Sequence, residues 1–253
     1  MAHIAESCHF YDGITGDPRY TVPNKSKPGE DRPTTLRDAK QFGYVPSVTT
    51  ILQILDKPQL NRWKQEQVLY ASLTMPKGNF TDEQWINAII EDSKAQSRQA
   101  MDLGTEVHAQ VQGAYEGIAP APEYAIYVEA VRNCIKNEWK DYGYNSWIPE
   151  SSFAHPLRYG GKVDLHNSIA IIDFKTTSLN GEKLKKAGYD EHALQLAAYR
   201  LGLKLERASL CNVYISTSVP GEVYLKIWSD EEALWATKSW LALLEFWKTA
   251  KKF

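Results

Sequence analysis

The stretch GGKVDLHNSIAIIDFKTTS, residues 160–178, decides how this chain is read. It has the apolar, β-branched character of core strands, yet it carries Asp164, Asp173 and Lys175. Charged groups are costly to bury unless they are paired or bound to a metal. The segment is therefore either a buried salt bridge or an active site. With a two-residue turn at Asn167–Ser168 it folds as a hairpin in which Asp164 lies opposite Ile171. Side chains alternate faces along a strand, so Asp173 and Lys175 share the face of Ile171 and hence of Asp164. Val163, Leu165, Ile172 and Phe174 then point the other way, into a core. The placement depends on the turn, since a one-residue change there would reverse Asp164.

Two carboxylates and an ammonium on one face suit a particular chemistry. Hard divalent cations such as Mg²⁺ prefer oxygen ligands and usually keep several waters, so two carboxylates suffice as anchors. Such an ion polarises a phosphoryl oxygen and lowers the pKa of a bound water. A lysine beside it can orient or deprotonate that water, or neutralise charge developing on phosphorus. Phosphodiester hydrolysis is the reaction that needs these groups together. The plainer alternative is that Lys175 simply pairs with Asp173, because an Asp-x-Lys triplet alone is common.

Outward from this segment, the chain has 253 residues, 43% hydrophobic and 24% charged, a soluble globular composition with room for one large domain or two small ones. No apolar run is long enough to span a bilayer, so no membrane partner is expected. The opening MAHIAESCHFYDG lacks the basic start and apolar centre of a secretory signal. Cys8, Cys134 and Cys211 are odd in number and far apart, which fits neither a disulfide framework nor a cysteine metal site and points to a reducing cytoplasm. A net charge of −2 argues against a protein that coats nucleic acid, though bound cations could supply positive charge at a phosphate site.

The organisation reads as one compact α/β (α+β) domain with a central mixed sheet flanked by helices. Residues 1–46, rich in Pro, Gly and charge, are expected as loops or a short ribbon outside the core. Residues 47–146 are helical. Ser47 follows Pro46 as an N-cap, a second helix starts at Pro58, and Thr81 caps a third that Gly104 either continues or restarts. Residues 147–253 hold the sheet: three short strands, the helix EHALQLAAYRLGL, two more strands and a closing helix with acids at its start and lysines at its end.

The order GGKVD, then DFKTTS, then QLAAY in the next helix resembles the PD-(D/E)XK nuclease superfamily, in particular its RecB-type branch with the phage and mitochondrial genome maintenance exonucleases. The resemblance covers roughly residues 100–203 and implies a restriction-endonuclease-like core. It makes Asp164 and Asp173 ligands of Mg²⁺ or Mn²⁺, Lys175 catalytic, and the Phe174 carbonyl a further ligand. The family's Gln-x-x-x-Tyr element falls on Gln195 and Tyr199, four residues apart and so on one helix face, where they could reach DNA or brace the site. The family's helical histidine falls on His108, one turn after Gly104, as a metal ligand. Glu150 occupies a place where relatives often carry a glutamate. VPSVTTIL is similar to an N-terminal element that sets a serine, here Ser47, at a helix start suited to phosphate. Some relatives hold an iron–sulfur cluster on four cysteines, which three scattered cysteines do not allow. No phosphate-loop motif is present, so any unwinding would need a recombination or replication partner protein.

Further substrate contacts are expected from Thr176 and Thr177, which leave the strand, and from Lys183, Lys185 and Lys186 in the following loop, although a solvated loop is the default for such lysines. The resulting expectation is a metal-dependent DNA exonuclease acting on single-stranded or duplex ends. A structure-specific endonuclease of the same fold, a non-catalytic DNA-binding or scaffold protein, and a hydrolase of small phosphorylated substrates are the alternatives.

Overall fold

The computed structural model describes residues 9–253; Cys8 lies outside them. The N-terminal part runs β1 (Phe10–Asp12), β2 (Thr21–Pro23), β3 (Asp31–Pro33), α1 (Leu36–Phe42), β4 (Tyr44–Pro46) and α2 (Val48–Leu52). Three longer helices follow: α3 (Pro58–Thr74), α4 (Asp82–Tyr115) and α5 (Ala125–Glu138). The remainder is β5 (Ile148–His155), β6 (Tyr159–His166), β7 (Ala170–Thr177), α6 (Gly181–Lys185), α7 (Asp190–Gly202), β8 (Ser209–Ser216), β9 (Val223–Ile227) and α8 (Asp230–Lys251).

The architecture is α/β. Five strands form one sheet in the order β5-β6-β7-β8-β9. All neighbours are antiparallel except β7 and β8, which are parallel. A parallel pair needs a long crossover, and α6 and α7 supply it. The crossover sends α7 over one face, where Leu196, Ala197 and Ala198 pack with Val48 and Ile51 of α2 and Trp240 and Leu244 of α8. On the other face Val107 and Val111 of α4 and Val128, Val131 and Ile135 of α5 cover Leu165, Ile172, Phe174 and Val213. The sheet is thus buried on both sides, which explains why β7 reads as an almost unbroken apolar run.

Residues 9–46 correct the expectation of a segment outside the core. Phe10, Tyr11, Val22, Ala39 and Val45 are buried. Two two-stranded ribbons, β1–β4 and β2–β3, organise the region. The unforeseen α1 starts at a reciprocal cap in which the Thr35 hydroxyl takes the Asp38 N–H and the Asp38 carboxylate takes the Thr35 N–H. Arg32 adds a two-pronged bond to the same carboxylate at 2.6 and 2.8 Å. Ser47 caps α2 as expected, and the third helix does continue through Gly104. At 34 residues α4 is about 50 Å long. Its first half, together with α3, projects from the sheet and exposes Leu69, Leu73 and Ile86. No helix among the described residues is long and apolar enough to cross a membrane.

Candidate active site

The site begins where two strands part. β6 pairs with β5 from end to end, but with β7 only through Leu165↔Ile172 and His166↔Ile171. The turn falls at Ser168–Ile169, one residue later than expected. Asn167 N–H donates to the Ala170 carbonyl, and the Asn167 side-chain oxygen accepts from Ile169 and Ala170 N–H at 2.9 and 3.0 Å. The asparagine thus starts the turn instead of sitting inside it. Since the turn still holds two residues, both strands shift together and the faces are preserved. Extending the register by one step sets Asp164 across from Asp173, not Ile171.

Past Leu165 the backbones separate. The Phe174 N–H, facing β6, is taken by Asp164 Oδ2 at 2.8 Å instead of by a backbone carbonyl. The N–H and C=O of one strand residue point to the same side, so the Phe174 carbonyl faces the same opening. Val163, expected in the core of Leu165, packs instead on the opposite face with Val48 and Leu196. β6 therefore rolls over at Asp164. The matching point on β5 is Glu150, whose φ of 56° is left-handed. A left-handed non-glycine residue inside a strand costs about 1–3 kcal/mol.

On one side of this opening stands α4. A Cβ on Gly104 would lie 2.5 Å from Thr176 Oγ1, so the glycine lets the helix rest directly on β7. One turn later His108 reaches Asp164, with Nε2 to Oδ2 at 2.9 Å. Its ring meets the Phe174 ring edge-on at 5.8 Å. The Asp164 carboxylate beside it raises the His108 pKa to about 8, against the pull of burial. Burial acts to raise Asp164, but the His108 cation, Lys175 and the Phe174 N–H outweigh it and hold this carboxyl low.

On the other side Asp173 is enclosed, with a side chain only 3% exposed. Lys175 Nζ lies 3.0 Å from Asp173 Oδ1 and 2.9 Å from Oδ2. The same ammonium donates to Gln195 Oε1 at 3.0 Å, and Gln195 Nε2 donates to the Tyr199 hydroxyl at 2.8 Å. Tyr199 lies close over β6 because Gly161 is there: a Cβ at that position would come within 2.8 Å of its ring. The glycine before Lys162 thus serves the tyrosine on α7. Burial raises the Asp173 carboxyl, Lys175 works against it, and the nearby Asp164 adds to the rise.

Behind Asp173 are two residues that sequence reasoning passed over. Asn212, opposite Asp173 in the parallel register and fully buried, donates to Asp173 Oδ2 at 2.8 Å. Its own oxygen accepts from Trp228 Nε1 at 2.9 Å. The available signal was a lone amide inside the apolar run SLCNVYIS. His192 was missed as well; it stands three residues before Gln195 and thus on its helix face.

Not every expected residue joins the cluster. Glu150 pairs with Lys162, and burial raises its pKa while the Asp164 charge adds to the rise. Thr176 lies beneath Gly104. Thr177 Oγ1 accepts from the Leu179 N–H at 3.2 Å, shaping the exit from the strand. The Ser47 hydroxyl is buried and engaged with Thr50, accepting its N–H at 2.9 Å and bonding its hydroxyl at 2.8 Å. That is a cap directed inward, not towards a phosphate. Lys183 and Lys185 lie on α6 and Lys186 ends it, all exposed; Lys185 pairs with Glu182 at 2.7 Å.

Among the described residues no group of three or more His, Cys, Asp or Glu side chains is arranged to hold a metal ion. The donor chemistry nevertheless fits a hard divalent cation. A buried carboxylate, Asp173, and a half-buried one, Asp164, come from strands that part at this point, and the Asp164 charge disfavours that of Asp173, a repulsion that added positive charge would relieve.

No family model matches the chain, and no curated protein matches it significantly. Among solved structures, one described as the crystal structure of SSO0001 aligns over 74% of this chain and 86% of its own, with 14% identity and a TM-score of 0.30.

Proposed function

We propose that this chain is a metal-dependent DNA nuclease that hydrolyses phosphodiester bonds from strand ends. One observation carries the reading: His108–Asp164 and Asp173–Lys175–Gln195–Tyr199 converge where β6 and β7 separate. Asp164, Asp173 and the Phe174 carbonyl, with His108, would hold Mg²⁺ or Mn²⁺. When bound, the ion supplies Lewis-acid polarisation of a phosphoryl oxygen and a more acidic water. Lys175 is aimed by two acceptors, and its ammonium stabilises negative charge growing on the phosphoryl oxygens. Gln195, itself held by Tyr199, keeps that ammonium from collapsing wholly onto Asp173. Thr177 ends β7, and the exposed Lys183, Lys185 and Lys186 lie beyond it, where a DNA backbone would run. A cytoplasmic setting and a recombination or replication partner belong to this proposal.

One observation favours a second reading. Both Asp173 oxygens already contact Lys175, and Asn212 takes one of them too, as in a saturated structural ion pair. A non-catalytic DNA-binding protein retaining the fold would keep that arrangement.

The test uses end-labelled linear and circular DNA, single-stranded and duplex, with Mg²⁺, Mn²⁺ or chelator. The expected result is metal-dependent digestion of linear strands, resistance of the circles, and a loss of about 10²–10⁴-fold for Lys175→Ala with DNA binding retained. Rapid cutting of circles would make the protein an endonuclease. Binding without any metal-dependent cutting would establish the non-catalytic reading.

A further inference from the structure

His192 lies one helical turn before Gln195, on the α7 face that covers Lys175. Its Nδ1 is 2.8 Å from the hydroxyl of Tyr214. Tyr214 is buried and stands beside Lys175 in the parallel register of β7 and β8. Imidazole, phenol and ammonium therefore share one side of the sheet. The ring also feels the charge of Lys57, the residue that leads into α3. Tyr189 touches its edge, with ring centroids 5.3 Å apart.

We infer that His192, held by Tyr214, is a substrate-positioning residue that donates from Nε2 to a backbone phosphate oxygen of the nucleic acid, between Lys57 and Lys175. The inference rests on the nuclease reading and deepens it. Burial, reinforced by the charges of Lys175 and Lys57, holds the His192 pKa far below its usual value, so the ring is neutral at pH 7. Burial also keeps the Tyr214 hydroxyl protonated. Donation from Nε2 requires the tautomer in which the phenol donates to Nδ1 and the imidazole proton stands on Nε2. A neutral donor suits a place already under the positive field of Lys175 and Lys57, where a third cation would be repelled. The ring contributes direction, and the lysines contribute charge.

The test measures steady-state cleavage of whichever labelled linear oligonucleotide the wild type degrades, single-stranded or duplex, and anisotropy of the same oligonucleotide in chelator. Loss of a hydrogen bond to a charged oxygen predicts that His192→Ala raises KM and weakens binding by about tenfold, with kcat within about twofold. His192→Gln, which keeps an N–H donor, should recover most of that loss. Tyr214→Phe keeps the packing and frees the ring, and should raise KM about threefold. If His192→Ala does not fold, the Gln and Phe variants decide alone. Wild-type KM in folded His192→Ala and Tyr214→Phe, or a fall confined to thermal stability, overturns the inference and leaves the nuclease reading standing. A wild type that cuts nothing overturns both.

Discussion

Asp173 and Asp164 belong to regions built on different principles. Asp173 sits on a central strand, and every group that holds it comes from within the sheet or from α7 packed on it: Lys175, Gln195 and Tyr199 in front, Asn212 and Trp228 behind. Asp164 sits where β6 peels away, and its partners are one backbone N–H and one imidazole on a helix 56 residues earlier in the chain. The first region is a continuous chain of short hydrogen bonds around one ion pair. The second is a single junction between a long helix and an opened strand. A bonded chain resists displacement at every link, whereas a junction moves whenever the helix moves. The Asp164 side is therefore where the site adjusts, and the Asp173 side is its fixed reference.

The largest effect is expected at the back of the fixed side. Asn212→Leu preserves volume but strands the Trp228 N–H in the interior and leaves Asp173 Oδ2 with Lys175 as its remaining donor. One buried donor without a partner, and a lost amide bond to a buried carboxylate that keeps its lysine, should together lower stability by roughly 3 kcal/mol, read from the urea midpoint at unchanged slope. Stability within 1 kcal/mol of wild type would mean that water or a rotated neighbour replaces the amide.

Next comes the support of the junction. Gly104→Val drives a side chain into Thr176, and overpacking of this kind costs about 1–3 kcal/mol. The steric origin is separable. In a Thr176→Ala background, Gly104→Ala should lose its penalty and gain up to about 1 kcal/mol from helix propensity. If Gly104→Ala is equally harmful with and without Thr176, helix α4 does not rest on β7 at this point.

The same contrast explains what could be read from the sequence. Asp173 and Lys175 are two apart on a strand, and Gln195 and Tyr199 four apart on a helix, so local periodicity alone puts each pair on one face. The meeting of His108 with Asp164 has no local signature and came only through the resemblance to a nuclease family. The turn was misplaced by one residue because the Asn167 side chain accepts from two backbone N–H groups and so prefers the first turn position. The faces survived, since the turn kept its length. Val163 was misassigned because alternation presumes a paired strand, and β6 has left β7 by then. The N-terminal region hid its buried face behind prolines and charges, although Thr35-x-x-Asp38 was a legible helix start. Ser47 was a correctly placed cap whose hydroxyl turned out to point inward.

The junction also carries a pH signature of its own. His108 is raised by Asp164 to about 8 in the folded chain, above the ordinary imidazole value near 6.5. Its contribution to stability is then complete below about pH 6.5 and disappears as pH rises through about 8. In chelator, the stability difference between wild type and His108→Gln should shrink over that window, and the ring should titrate near 8 by NMR. Added Mg²⁺ should lower the midpoint, because a cation near Asp164 competes with the imidazole proton. A midpoint indifferent to Mg²⁺ would remove His108 from the ligand set.

The smallest change separates the two regions most cleanly. Tyr199→Phe deletes one hydroxyl, the acceptor for Gln195, and an intramolecular hydrogen bond of this kind is worth about 0.5–1.5 kcal/mol. Its effect on rate should exceed its effect on stability, because Gln195 freed at one end no longer holds Lys175 at the other. The Asp164 side should not notice: His108 should titrate in Tyr199→Phe as it does in wild type. Should that midpoint shift instead, Tyr199 couples the two carboxylates through the ring that lies over Gly161, and the opened strand is not independent of α7.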